Sequence, residues 1–178
     1  MLHGCSGFSS HSAAIADRLG SWGYVALTVD SSGPRGIASA CGGGLAAQAF
    51  DAYAALHYLA GLEEVDLARI AVLGESMGGS SVLNAVDRDM FAQYFTERFR
   101  AAIAYYPVCA LPGRMMTAPM MILCDTGADP LSGAPAIPST GPAPDTMRRQ
   151  RRQWDRRPTS PRLPPNQAAL PPRRSRSG

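Results

Sequence analysis

The sequence predicts an α/β fold with a mainly parallel sheet and flanking helices. Three observations carry that expectation. Short β-rich apolar runs alternate with segments of helical period; the hexapeptide Gly74-Glu75-Ser76-Met77-Gly78-Gly79 sits between one such run and a helix; and the composition changes after about residue 137.

The elements follow in order. The chain opens on Met1-Leu2-His3-Gly4-Cys5-Ser6-Gly7, a loop of the kind that follows a buried strand, of which only Met1 and Leu2 remain. Ser12 is the expected cap of a helix that runs to Leu19 and stops at Gly20. Residues 24–29 form a β-rich run, closed by Asp30 and the turn-forming Ser31-Ser32-Gly33-Pro34-Arg35-Gly36. Over 45–59 the residues Leu45, Ala49, Ala52, Leu56 and Leu59 recur at helical spacing, with Gly61 as the stop. His57 lies within that helix and is expected to be half-buried and structural.

Residues 69–73 then read as a buried strand and 80–86 as a helix, on either side of the hexapeptide. The polar stretch 91–100 is a further helix or a covering loop. Runs at 101–106, ending at Pro107, and at 120–124, ending at Asp125, read as two more buried strands.

Composition separates the chain into two parts. Residues 1–137 carry a net charge of −5 and residues 138–178 one of +8, so the overall +3 belongs to the second part. That second part holds 9 of the 15 prolines and 10 of the 17 arginines, with few large apolar side chains. Too little apolar surface is available there to offset ordering entropy, and a disordered Arg/Pro-rich tail is expected. All basic residues are Arg, which reads as compositional bias rather than a binding signature. Cys5, Cys41, Cys109 and Cys124 include no C-x-x-C pair, which argues against a zinc or thioredoxin-like site; burial as small apolar residues or a disulfide both remain open. No apolar run is long enough to span a membrane, and the expected compartment is the cytoplasm.

The chemistry is expected at Ser76. A strand, a tight G-x-S-x-G turn and a helix make a nucleophile elbow, whose strained backbone exposes the serine hydroxyl at the strand end. Gly74 and Gly78 then have a steric reason to be glycine, because strand and helix pack closely around the turn.

Three stretches occur in one order: His3-Gly4-Cys5-Ser6-Gly7, then Val29-Asp30-Ser31-Ser32-Gly33-Pro34-Arg35-Gly36, then the elbow. In that order and spacing the chain resembles the dienelactone hydrolase family of α/β-hydrolases, over residues 1 to about 134. The resemblance implies a partial α/β-hydrolase fold over 1–137, followed by the tail at 138–178. It implies a serine hydrolase acting on small carboxylic esters or lactones through an acyl-enzyme, without a cofactor. Ser76 would be the nucleophile, and the backbone N–H of Met77 and of the Cys5-Ser6 loop would hold the oxyanion. Asp129, with Asp125 as the alternative, would be the acid that orients the base, and Arg35 would hold a substrate carboxylate or pair with Asp30 or a neighbouring loop. Neither a membrane nor nucleic acid is an expected partner. The competing reading is a non-catalytic homologue whose Arg-rich tail binds a polyanion.

Two departures from the family pattern bear on activity. The family's base is a histidine downstream of the acid, and this sequence has none after His57. His3 is expected to shape its loop, and His11 is the one remaining histidine near the predicted pocket. Loss of the triad histidine costs about 2 × 10⁶ in kcat, so little or no esterase activity is expected. Secondly, the family's sheet runs the strand before the His-Gly loop between 24–29 and 69–73. Here Met1 and Leu2 are all of it, so a central gap is expected, as from a reading frame that starts late and leaves its frame near residue 130, or from a truncated paralogue.

Overall fold

Three short apolar runs pair side by side in the computed structural model, which describes residues 1–41, 47–107 and 115–123. They are β1 (Ala71–Glu75), β2 (Ala101–Tyr105) and β3 (Met120–Leu123), all parallel, in the order β1-β2-β3. Register aligns Glu75 with Tyr105 and Tyr105 with Leu123, so the three strands end level at one edge. The helices are α1 (Ser10–Ser21), α2 (Ala47–Ala60) and α3 (Met77–Val86), with single 3-10 turns at Gly33–Arg35, Leu67–Arg69 and Ala92–Tyr94. The α/β class is therefore present, with a small parallel sheet.

Leu2 extends the sheet beyond β1. It bridges in parallel to Val29 on one side and to Gly74 on the other. The Leu2 N–H donates to Leu73 O at 2.8 Å, the Val29 N–H donates to Met1 O at 3.0 Å, and the Met1 amino group donates to Leu27 O at 2.6 Å. The expected central gap is thus closed at the level of Leu2. Below it lies a cavity of about 20 Å³ between the two flanking segments, lined by Leu27, Val29, Leu56, Ile70 and Val72 among others.

This short central strand accounts for a correction at residues 24–29. The run is a single bridge at Val29 rather than a strand, because a two-residue partner offers no ladder to pair with. Elsewhere the boundaries shift. The strand expected at 69–73 lies at Ala71–Glu75, because Asp66 caps the 3-10 turn before it by accepting from Ala68 N–H at 2.8 Å. Helix α1 starts two residues ahead of Ser12, which is fully buried in its first turn, and it runs through Gly20. Its stop is Gly23, whose φ of 90° only glycine adopts without strain.

The core lies between α2, α3 and the sheet. Ala49, Ala52 and Leu56 are buried, as the helical stripe predicts; α2 packs on α3, where Val82, Ala85 and Val86 are buried, and Val72 of β1 is buried too. Aromatic rings gather along the first half of α2: Tyr53 stacks on Phe95 at 3.8 Å, and Phe50 meets Phe91 edge-on at 4.9 Å. Inside this cluster Tyr53 OH donates to Ala85 O at 2.8 Å, and burial raises its pKa to about 12. His57 departs from expectation. Its side chain is 65% exposed and faces Glu97 at 3.4 Å, because it lies on the outer face of α2. Glu97 is held below the ordinary carboxylate range chiefly by its backbone hydrogen bond, with Thr96 and His57 adding to the effect.

Candidate functional site

Ser76 occupies the single residue between β1 and α3, with φ 51° and ψ −117°. A non-glycine residue holds such a backbone only where its surroundings enforce it. Here the enforcement is visible. The Ser76 N–H donates to Tyr105 O at 2.9 Å, tying the turn to β2, and the Ser80 N–H donates back to Ser76 O at 3.0 Å, starting α3. A Cβ on Gly74 would collide with the Gly78 backbone, and one on Gly78 would collide with the carbonyls of Leu2 and His3. The two glycines therefore let strand, helix and the Leu2-His3 segment meet around the serine. Tyr106, at the end of β2, is the other non-glycine residue with positive φ among the described residues, at 36°.

The Gly4-Cys5-Ser6 loop lies against the serine: a Cβ built on Gly4 would sit 3.7 Å from Ser76 Cβ. Among the described residues no acceptor engages the N–H of Cys5, Ser6 or Met77. The Met77 N–H is at the first position of α3, where helix geometry leaves it unpaired and the helix dipole favours negative charge.

Buried side chains fix that loop from behind. His3 is fully buried, accepts from Ser31 N–H at Nε2 (3.1 Å) and therefore donates from Nδ1 to Gly4 O (2.7 Å). Both ring nitrogens are engaged in shaping the loop, as expected. The contact of His3 with Asp30 at 3.9 Å is secondary, since Asp30 Oδ1 already accepts from Ser32 and Gly33 N–H. Gln48, at 0% exposure on α2, donates to His3 O at 2.9 Å and accepts from Ser81 Oγ at 2.8 Å; that hydroxyl also lies 3.0 Å from Met77 O. One side chain thus ties the loop of Cys5 and Ser6 to the helix that begins at Met77. Sequence reasoning missed Gln48 and Ser81. The available signal was a polar residue adjoining the apolar stripe of α2.

Cys5 and Cys41 form a disulfide with Cα atoms 4.8 Å apart, which settles one of the two open readings for that pair. The Ala40 N–H donates to Cys5 O at 2.8 Å beside it. The loop is thereby anchored to the segment after the Gly33–Arg35 turn. Cys109 and Cys124 lie outside the described residues, as do Asp125, Asp129 and the whole of 138–178.

Arg35 makes a bidentate ion pair with Asp51 of α2, both bonds 2.7 Å, and donates to Ser31 O at 2.6 Å. The Asp51 hydrogen bond is the main reason its pKa is raised. Of the expected roles, pairing with a neighbour is the one observed, although the partner is Asp51 rather than Asp30.

A second polar cluster adjoins Ser76. Glu75 is 6% exposed, yet His11 Nε2 lies 3.1 Å from its Oε2, and Tyr106 OH donates to the same oxygen at 3.5 Å. Burial, followed by the nearby Glu75 charge, raises the Tyr106 pKa. Among the described residues no group of three or more His, Cys, Asp or Glu could hold a metal ion, and no helix is long and apolar enough to cross a membrane. No family model matches the chain, and no curated protein or solved structure matches it either.

Proposed function

We propose that the chain is a serine hydrolase of the dienelactone hydrolase type, acting on carboxylic ester or lactone bonds through an acyl-enzyme. The observation that carries this reading is the Ser76 backbone. A serine at φ 51° between a parallel strand and a helix, with close-packed glycines two residues before and after it, is the geometry an elbow nucleophile requires.

In this reading Ser76 Oγ attacks the acyl carbonyl, and negative charge moves onto the carbonyl oxygen. The unengaged N–H of Met77 supports it from α3, and the N–H groups of Cys5 and Ser6 support it from the facing loop. Each such donor contributes about 2.7 to 4 kcal/mol to the transition state. Gln48 contributes indirectly, by tying the two sources of donors together. The partner implied is a small ester or lactone. Asp129 stays the proposed acid from the family resemblance, with Asp125 as its alternative. Arg35 is engaged by Asp51, so a substrate carboxylate would have to displace that pair.

Labelling with a fluorophosphonate probe tests the reading directly. The intact chain should take up the probe at Ser76, and Ser76→Ala should abolish both labelling and turnover of p-nitrophenyl acetate. A chain that neither labels nor turns over the ester in a Ser76-dependent way is not a serine hydrolase.

A further inference from the structure

We infer that His11, held by Glu75 in place of the Asp129 that the resemblance implies, is the proton acceptor and donor for Ser76, a pairing that supplies the base missing downstream of the acid. The inference rests on the hydrolase reading above and concerns how that site works.

Three elements converge on the sheet edge where Ser76 sits. Glu75 is the last residue of β1 and immediately precedes the serine. His11 is the second residue of α1, the helix that follows directly on the loop carrying the Cys5 and Ser6 N–H groups. Tyr106 closes β2, and its ring meets Tyr105 edge-on at 4.6 Å. A carboxylate as buried as Glu75 needs polar partners to offset its desolvation, and those partners are His11 and Tyr106.

The orientation of the imidazole follows. Nε2 lies 3.1 Å from the carboxylate; a hydrogen on Nε2 shared with Glu75 would leave the Nδ1 lone pair as the acceptor. The His11 side chain is 66% exposed, so the ring is accessible from solvent. A buried carboxylate paired with a histidine and one residue ahead of a serine brings together the groups that general-base catalysis of acyl transfer needs. The other two histidines are engaged elsewhere: His3 has both nitrogens in its loop, and His57 faces Glu97. Among the described residues Ser76 Oγ and His11 share no hydrogen bond, and contacts of this kind commonly close only when substrate is bound.

The proton balance is complete within these groups. As the Ser76 Oγ–carbonyl bond forms, its proton passes to His11 Nδ1, and the imidazolium is held by Glu75. Collapse of the tetrahedral adduct breaks the bond to the leaving oxygen, which takes that proton from His11. Water then attacks the acyl-serine, gives its proton to His11, and the regenerated Ser76 recovers it as the acid departs.

The test measures p-nitrophenyl acetate hydrolysis by the full chain and by His11→Ala, His11→Gln and Glu75→Gln. Far-UV circular dichroism checks that each variant is folded. His11→Ala should lower kcat about 100-fold or more with little change in KM, and added imidazole should restore part of it. His11→Gln keeps an amide donor for Glu75 but offers no basic nitrogen, so it should be as impaired as His11→Ala; Glu75→Gln should also lower kcat. Ser76-dependent turnover that survives in His11→Gln overturns this inference and leaves the hydrolase reading standing. Absence of Ser76-dependent turnover and labelling in the unmodified chain overturns both.

Discussion

The side-chain amide of Gln48 donates to the backbone carbonyl of His3 at 2.9 Å, joining helix α2 to the loop that faces Ser76. The same amide accepts from Ser81, so its loss disturbs the loop and helix α3 together. Gln48→Leu should therefore destabilise the chain by about 1 to 3 kcal/mol, the cost of leaving a buried carbonyl unpaired. Urea unfolding monitored by tryptophan fluorescence gives the number. A variant as stable as the parent would show that the amide is dispensable.

Gly78 stands where the elbow meets the first residues of the chain. Gly78→Ala would drive a methyl group into the carbonyls of Leu2 and His3, which are backbone atoms and cannot swing away. A loss of about 3 kcal/mol or more is expected, at the upper end for overpacking. Gly20→Ala is the control, since its Cβ meets nothing within 4 Å, and thermal melts of the two variants should differ accordingly.

The Cys5–Cys41 disulfide closes a loop across a sequence separation of 36. The chain-entropy account gives it about 3 to 4 kcal/mol. Reduction, or paired replacement by serine, should lower the melting temperature. It should also slow ester hydrolysis, because Cys5 belongs to the loop beside Ser76. A melting temperature indifferent to reductant would contradict the first expectation.

Burial lowers the Met1 α-amino pKa from 8.0 to about 6. The folded chain then binds fewer protons than the unfolded one between those values, so stability should rise as pH rises from about 6 to 8. The contribution is on the order of 2 to 3 kcal/mol, present in full above pH 8 and lost below about 6. Acetylation of the amino group should remove this part of the pH dependence. Urea midpoints at pH 6 and pH 8, with and without acetylation, measure it.

How far the sequence foretold all this varies from residue to residue. The elbow was legible because its glycines answer to a local steric demand that spacing alone reveals. The apolar stripe of α2 was legible for the same kind of reason, since Ala49, Ala52 and Leu56 follow the helical period. The pairing of His11 with Glu75 was not, because 64 residues separate them and only the finished sheet edge brings them to 3.1 Å. The run at 24–29 misled in another way. Its residues have the character of a strand, but a ladder depends on what lies alongside, and Met1 and Leu2 are too short to supply one. The exposed position of His57 was misjudged because a helical period fixes which residues share a face, not which neighbours cover it.

Leu2 has a consequence for the order in which the molecule assembles. Its two sheet neighbours, Val29 and Gly74, are both distant in sequence, and its place exists only once they stand side by side. Contacts of this separation form late and slow the search, since loop-closure entropy is incurred before they stabilise anything. Leu2 is thus expected among the last residues to be seated. Until Val29 and Gly74 stand side by side Leu2 has only half a site, and the loop that follows it beside Ser76 waits on both.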